Sequence, residues 1–119
     1  MHRLLAVCLL LFMGCQPTSS YSEEQLVGNW KMVEWKDLTN DKAFDVAVDF
    51  KFEENGRYIG NYGSKAEEGK YWIVGANLHT IEDGKAEKKV KITTLTNDTL
   101  AFEMNRVGAI EKMVLVREE

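Results

Sequence analysis

Clusters of turn-forming residues recur along the chain at nearly regular intervals, and they constrain its fold more than any other feature. They lie at Asn55-Gly56, Gly63 to Gly69, Gly75-Ala76-Asn77, Asp83-Gly84, Thr96-Asn97-Asp98 and Asn105 to Gly108. The segments between them are about six to ten residues long, which suits strands better than helices. The sequence therefore predicts a meander of antiparallel strands.

Apolar and polar residues alternate within several of these segments, most clearly at Val48, Phe50 and Phe52 and again at Val90, Ile92 and Thr94. A period of two buries one face of a strand and exposes the other. The predicted strands are Gly28–Lys36, Val46–Glu53, Arg57–Tyr62, Lys70–Val74, Leu78–Glu82, Glu87–Leu95, Thr99–Met104 and Ala109–Arg117.

A meander of eight strands must cover its apolar face and protect its two edges. Closure into an up-and-down barrel does both, because the first strand pairs with the last and the apolar faces turn inward. We therefore predict an all-β, eight-stranded antiparallel barrel, with a two-sheet sandwich as the alternative. A barrel of this size is either filled by side chains or holds one small ligand.

The first residues differ in composition from the rest of the chain. His2 and Arg3 precede the apolar run Leu4–Met13, and Gly14 and Cys15 follow. A run of about ten apolar residues fits the core of a signal peptide and is too short to span a bilayer. The segment Leu11–Cys15 resembles the lipobox of bacterial lipoproteins, in which the cysteine receives a lipid. A plain secretory signal is the alternative.

This layout predicts three parts: a signal peptide at 1–14, a lipidated cysteine and polar tether at 15–21, and a barrel domain at 22–119. Cys8 is removed with the signal, so the mature chain has one cysteine and no internal disulfide. Ser22-Glu23-Glu24-Gln25 fits a capping box and predicts a one-turn helix before Gly28. The formal net charge of −4, without a basic patch, excludes nucleic acid as a partner. We expect a monomer.

The order of four segments resembles the lipocalin-like lipoproteins that are common in Bacteroidetes. The segments are Leu26-Val27-Gly28-Asn29-Trp30-Lys31-Met32-Val33, Phe52-Glu53-Glu54-Asn55-Gly56-Arg57-Tyr58, Gly69-Lys70-Tyr71-Trp72-Ile73-Val74-Gly75-Ala76-Asn77-Leu78 and Ile92-Thr93-Thr94-Leu95-Thr96-Asn97-Asp98-Thr99-Leu100. The resemblance implies a calycin-type barrel and a role in binding a small apolar molecule. It also implies that Trp30, after Gly28, closes the barrel floor beneath a basic residue, for which Arg117 is the candidate.

A hydrophobic or amphipathic ligand inside the barrel would contact residues of the inward faces. The candidates are Met32, Phe50, Phe52, Tyr58, Trp72, Ile92, Phe102 and Met104. Glu34 joins them if the first strand is unbroken, because it then shares a face with Trp30 and Met32; a bulge would turn it outward. In the other interpretation the same side chains simply fill the barrel.

Residues suited to catalysis are scarce. His79 is the one histidine behind the signal peptide, and no serine lies in a Gly-x-Ser-x-Gly elbow. The pairs Glu53-Glu54, Glu67-Glu68, Glu82-Asp83 and Glu118-Glu119 adjoin turns or the terminus and predict solvated surface. We therefore expect neither an enzyme nor a metal or cofactor site. Asp98-Thr99-Leu100 resembles an O-glycosylation motif of Bacteroidetes, although a turn before a strand explains it equally.

A second hypothesis is that the barrel is packed and binds another protein through its loops. Lys36 to Asp45 and Gly63 to Gly69 are the longest predicted loops, and loops on rigid scaffolds often carry recognition. Gln16 follows the lipidated cysteine in place of an aspartate that would retain the protein in the inner membrane. The expected location is the outer membrane, facing the periplasm.

Overall fold

The computed structural model of the chain describes residues 20–118. The predicted signal peptide, Cys15 and most of the tether lie outside these residues. Within the described part, no helix is long and apolar enough to cross a lipid bilayer.

Nine strands contain about two thirds of the described residues. They are β1 (Gly28–Asp37), β2 (Lys42–Ala43), β3 (Val48–Phe52), β4 (Arg57–Tyr62), β5 (Lys65–Val74), β6 (Asn77–Glu82), β7 (Glu87–Leu95), β8 (Thr99–Arg106) and β9 (Ala109–Glu118). Consecutive strands from β3 to β9 pair antiparallel, and β1 pairs with both β3 and β9. The eight longer strands thus close into the predicted barrel, and the sandwich alternative is wrong.

The short helix α1 (Glu23–Leu26) precedes β1, as predicted. Ser22 N–H donates to Gln25 Oε1 at 2.8 Å, which is one half of the capping box. Leu26 is fully buried against the end of the barrel where β1 begins. Tyr21 N–H donates to Gly75 O at 3.0 Å and ties the start of the described chain to the turn between β5 and β6.

The predicted loop from Gly63 to Gly69 is wrong. Tyr62 pairs with Lys65, so only Gly63 and Ser64 form the turn, and the residues that follow belong to β5. Gly63 has φ +63°, a value that a tight hairpin turn requires and glycine adopts easily. Lysine, alanine and glutamate have weak strand propensity, and their pairing with β4 outweighs it.

Strand β5 changes partners at Gly69, which makes a corner of the barrel. Its first half pairs with β4 and its second half with β6, and Gly69 pairs with both Tyr58 and Glu82. A β-carbon at Gly69 would overlap the carbonyl oxygen of Ile81. The missing side chain therefore allows β6 to approach closely enough for the barrel to bend.

The loop predicted at Lys36 to Asp45 is present, but it also contains a short antiparallel ladder. β1 reaches Asp37, and the two-residue strand β2 pairs with its end. The Asp37 carboxylate accepts from the backbone N–H groups of Thr39 and Asn40, each at 3.0 Å, which shapes the turn between these strands.

Candidate functional site

The end of the barrel where β1 begins, which we call the floor, is closed by Trp30. This side chain is fully buried, and its Nε1 donates to Leu26 O at 2.8 Å. Arg117 pairs with Trp30 across the β1–β9 ladder, and its guanidinium carbon lies 4.3 Å from the indole centroid. The ring and the guanidinium are therefore in cation–π contact.

Arg117 also joins three parts of the backbone at the floor. Its guanidinium donates to Asn97 O at 2.6 Å, to Val27 O at 2.7 Å and to Gln25 O at 2.9 Å. Gly28 has φ +134°, and a β-carbon there would overlap the guanidinium. The Gly-x-Trp sequence thus combines a glycine that leaves room for the arginine with the indole that the arginine covers.

A β-bulge at Val33 reverses the second half of β1. Met32 pairs with Leu115 and Glu34 with Val114, so Val33 is the extra residue. Glu34 is exposed, with its carboxylate 3.8 Å from Lys36 Nζ. The expectation that Glu34 lines the interior is therefore wrong.

Trp35 takes the inward position that the bulge creates. Its Nε1 donates to Glu111 Oε1 at 3.0 Å, and its ring centroid lies 4.5 Å from that of Phe44 and 6.3 Å from that of Tyr62. The bulge thus exchanges a carboxylate for an indole at the open end of the barrel.

The prediction that Trp72 lines the barrel interior is also wrong, because this side chain lies on the outer wall. It stacks on His79 of β6, with ring centroids 5.2 Å apart and an interplanar angle of 7°. His79 Nδ1 lies 2.7 Å from a carboxylate oxygen of Glu87 on the same wall. The inward residue is Tyr71, whose hydroxyl donates to Glu53 O at 2.7 Å. Adjacent aromatic residues left the inward position ambiguous. The register with β4 decides it, because Gly69 lies opposite the inward Tyr58 and Tyr71 shares the face of Gly69.

The other seven predicted lining residues point inward and lie together, buried or half-buried: Met32, Phe50, Phe52, Tyr58, Ile92, Phe102 and Met104. Contacts between rings connect them upward from the floor. The centroids of Tyr71 and Phe52 lie 4.9 Å apart, and those of Phe52 and Phe50 lie 5.7 Å apart. These rings occupy the interior near Trp30, so a ligand has room only toward the opposite end.

Two tyrosines and a glutamate mark the change from an apolar to a polar interior. Tyr58 Oη donates to Glu67 Oε2 at 2.5 Å. Burial, and after it this hydrogen bond, raises the pKa of Tyr58; burial, and after it the Glu67 charge, raises the pKa of Tyr62. The expectation that Glu67 is solvated surface is wrong. Its alternation with Gly69 and Tyr71 could have placed it on the inner face.

Glu111 is a second inward carboxylate that sequence analysis did not identify. It is 5% exposed and accepts from Trp35 Nε1 and from Arg106 Nη1, the latter at 3.5 Å. It alternates with the buried residues Met113 and Leu115, so the period-two pattern of β9 pointed to it. Each of these inward carboxylates has a hydrogen-bond donor, as buried charges require.

The barrel wall is open between β7 and β8. Their ladder ends at the pair Lys91 and Glu103, although β7 begins at Glu87 and β8 continues to Arg106. A pocket of about 240 Å³ occupies this place, which we call the β7–β8 window. Its lining residues are Asn77, Lys89, Val90, Lys91, Glu103, Met104, Asn105 and Ile110. Met104 is thus the one predicted lining residue that borders this opening.

A broader depression of about 740 Å³ lies outside the floor, between α1 and the turn that joins β3 to β4. It is lined by Glu23, Glu24, Val27, Glu54, Asn55, Gly56 and Tyr71, and none of the predicted site residues borders it.

Comparison with known proteins agrees with this geometry. The profile of the lipocalin-like domain family matches residues 26–102, from the residue that covers the floor to the inward phenylalanine of β8. The chain belongs to the lipocalin-like domain family. Among solved structures, a lipocalin-like protein from Bacteroides uniformis ATCC 8492 superimposes on this lipocalin-like domain with a TM-score of 0.62.

That superposition covers 79% of this chain and 99% of the other, at 16% sequence identity. At this identity the likeness shows a shared fold and nothing about the ligand. No curated protein matches the chain. The function of this lipocalin-like domain must therefore be argued from its own site.

Proposed function

We propose that the protein is a lipid-anchored, non-catalytic binding module that holds a small hydrophobic or amphipathic molecule in the cell envelope. The observation that carries this proposal is the β7–β8 window, where the wall is open beside the half-buried Val90 and Met104. A passage through the wall to apolar side chains is what such a ligand needs.

The volume of the window limits the ligand. At about 240 Å³ it lies just below the roughly 300 Å³ at which ligand pockets for drug-sized molecules begin. The rings of Phe50, Phe52 and Tyr71 occupy the interior toward the floor. A ligand would therefore enter only part of the barrel and leave a portion of itself at the surface, as an amphipathic molecule can.

The pairing of the inner polar groups supports a non-catalytic role. Tyr58 is bonded to Glu67, and Trp35 is bonded to Glu111. Burial raises the pKa of Tyr58, so its hydroxyl stays protonated and donates to Glu67 instead of acting as a base. Their arrangement suits a structural role, in which they satisfy polar groups inside the barrel.

The start of the described chain supports the proposed anchor. Tyr21 is tied to Gly75 at the turn between β5 and β6, on the side of the floor. Tyr21 is the sixth residue after Cys15, and at roughly 3.5 Å per residue this stretch spans at most about 20 Å. A lipid on Cys15 would hold the floor toward the membrane and the open end away from it. We place the protein in the outer membrane, facing the periplasm.

Binding of N-phenyl-1-naphthylamine, an uncharged fluorescent probe, tests the proposed function. The protein would be exported as the full chain with Cys15→Ser, so that no detergent competes with the probe. We expect saturable binding that Val90→Phe weakens at least about tenfold by filling the window, a loss of about 1.4 kcal/mol. Val33→Phe is the matched control, because Val33 is 59% exposed at the bulge of β1 and does not line the window. The absence of saturable binding, or equal loss in both variants, contradicts the proposal.

A specific observation also favours the second candidate, a protein-binding module. Leu38, Val46 and Val107 are exposed apolar residues on loops at the end of the barrel opposite the floor. Single exposed apolar residues are common, but three around one opening fit a contact surface. Purification from detergent-solubilised membranes separates the candidates. A co-purifying protein that is lost with Leu38→Ser and Val107→Ser would favour the second one.

A further inference from the structure

We propose that the β7–β8 window binds the anionic head group of a single-chain amphiphile, with Lys89 and Lys91 beside the head group and Val90 and Met104 beside the chain. This inference rests on the proposed function and names its ligand class. It is argued from four features of the window: its backbone donors, its apolar base, its charge and the lysines along its strand edge.

The first feature is a pair of backbone groups that face the opening. Ile92 N–H donates to Ala76 O on the β6 side of β7 at 2.7 Å. Because bonding directions alternate along an antiparallel ladder, the backbone groups of Lys91 and Lys89 point toward β8. Lys91 meets Glu103 there, whereas the next residue on that side, Lys89, lies beyond the end of the ladder.

The same alternation applies to β8. Since Glu103 is paired toward β7, Asn105 also directs its backbone groups toward β7, where it would face Lys89 if the ladder continued. The window thus presents the N–H groups of Lys89 and Asn105 at its centre. Backbone N–H groups are good donors to a carboxylate or a phosphate oxygen.

The base of the window is apolar. Val90 and Met104 are half-buried and pack against the core, and Ile110 completes the lining. Met side chains adapt to ligands of varied shape. A volume of about 240 Å³ limits the buried part of the ligand to one small apolar group or chain.

The charge around the window is positive, although the whole chain has a net charge of −4. Residues 85–91 contain four lysines, all exposed: Lys85, Lys88, Lys89 and Lys91. Glu103 lies opposite Lys91 in one ladder and opposite Lys112 in the other. Among the residues that line the window, Lys89 and Lys91 outnumber this one carboxylate. The Glu87 carboxylate lies beside β6, 2.7 Å from His79 Nδ1, and does not line the window. A cationic rim over an apolar base is complementary to an anionic amphiphile.

An extended peptide is the competing occupant, because a free strand edge can pair with another strand. Lysines along an exposed edge oppose such pairing, and β7 has Lys89 and Lys91 at this edge. The apolar pocket beneath the edge also has no role in main-chain pairing. These features favour the amphiphile.

Displacement of N-phenyl-1-naphthylamine tests the head-group preference. The competitors are dodecanoate, dodecyltrimethylammonium and dodecanol, each below its critical micelle concentration, with the Cys15→Ser full chain. We expect dodecanoate to displace the probe at least about tenfold more effectively than the cation. The double variant Lys89→Gln/Lys91→Gln should weaken dodecanoate about tenfold, since charge-assisted hydrogen bonds are lost. Binding of the uncharged probe should stay unchanged.

Lys31→Gln/Lys51→Gln is the matched control, because both lysines are exposed on the β1–β3 wall. It should leave dodecanoate binding intact. Amide NMR shifts caused by dodecanoate should centre on Lys89 and Asn105.

Three outcomes overturn the inference in distinguishable ways. If the three competitors act equally, or if the lysine variant binds dodecanoate normally, the anionic class is wrong while the proposed function survives. If the probe does not bind at all, the proposed function fails with it. If an alternating Val-Thr hexapeptide protects the Lys89 amide from exchange and dodecanoate does not compete, the window is a strand-addition site.

Discussion

The three tryptophans of the chain allow a graded test of the barrel floor, in which Trp30→Ala is the decisive change. Trp30 is fully buried. A buried aromatic side chain covers about 200 Å², which at about 25 cal/mol per Å² contributes about 5 kcal/mol. Trp→Ala substitutions in cores typically cost about 3–5 kcal/mol. The change also removes the bond to Leu26 O and the contact with Arg117.

We therefore expect Trp30→Ala to lower the free energy of unfolding by about 4–5 kcal/mol. Small domains have only about 5–15 kcal/mol in total, so this variant should be close to unfolding at room temperature. Trp35→Ala should cost about 2–3 kcal/mol, because Trp35 is half-buried and Glu111 would lose a donor. Trp72→Ala is the matched control on the outer wall and should cost about 1 kcal/mol or less.

Urea unfolding followed by far-ultraviolet circular dichroism measures all three variants without relying on tryptophan emission. With a slope of about 1–2 kcal/mol per M, the midpoint of Trp30→Ala should fall by about 2–5 M. The reasoning fails if Trp30→Ala loses less than about 1 kcal/mol, or if Trp72→Ala loses as much. Either result would mean that the indole does not hold the floor together.

Three further predictions concern separate parts of the chain. Gly69→Ala should destabilise the barrel by at least about 2 kcal/mol in the same assay, because the new β-carbon would overlap Ile81 O. Cys15→Ser should move the protein from the membrane fraction to the soluble fraction, since acyl chains contribute about 0.8 kcal/mol per buried CH₂. Membrane retention of this variant with its signal cleaved would place the anchor elsewhere. Hydrogen bonds from Asn40 hold the pKa of Asp37 below its ordinary value. This carboxylate therefore stabilises the folded protein at pH values above its pKa in the unfolded chain, which is about 3.9. The stabilisation is lost as the pH falls through the lower pKa of the folded protein. Unfolding between pH 6 and pH 2 should show this loss, and Asp37→Asn should show a smaller dependence on pH.

The barrel could be predicted from the sequence because each strand has one solvent-exposed face and one buried face. In β3, Val48, Phe50 and Phe52 are buried while Asp49 and Lys51 are exposed, as their alternation indicates. Turn residues then marked the ends of most strands to within about two residues. The resemblance to lipocalin-like lipoproteins implied the floor at Gly28 and Trp30, and the structure gives the local reason, since a β-carbon at Gly28 would overlap Arg117.

The errors arose where pairing between distant strands decides the direction of a side chain. The bulge at Val33 depends on the register of β1 with β9, which nothing within β1 reveals. It moved Glu34 out and Trp35 in. In β5 the adjacent aromatics Tyr71 and Trp72 fit either face, and the register with β4 selects Tyr71, because Gly69 lies opposite the inward Tyr58.

The window could not be predicted, because its cause is the absence of pairing. Lys89, Val90 and Lys91 alternate as they would in a fully paired strand. The β7–β8 ladder ends at Lys91 and Glu103. On the far side of this pair β7 is still hydrogen-bonded to β6, and β8 is still hydrogen-bonded to β9. The lysines of β7 were visible in the sequence, yet without the opening they looked like solvated surface.

The floor and the window lie in different halves of the barrel, and this separation makes stability and binding independently testable. Trp30 and Arg117 hold the floor, whereas Lys89 and Lys91 are exposed at the window and contribute little to folding. Distant substitutions without shared partners usually have additive effects. Lysine variants should therefore change ligand preference at unchanged stability. A floor variant that remains folded should keep the wild-type preference for dodecanoate, because the window residues keep their places in β7 and β8.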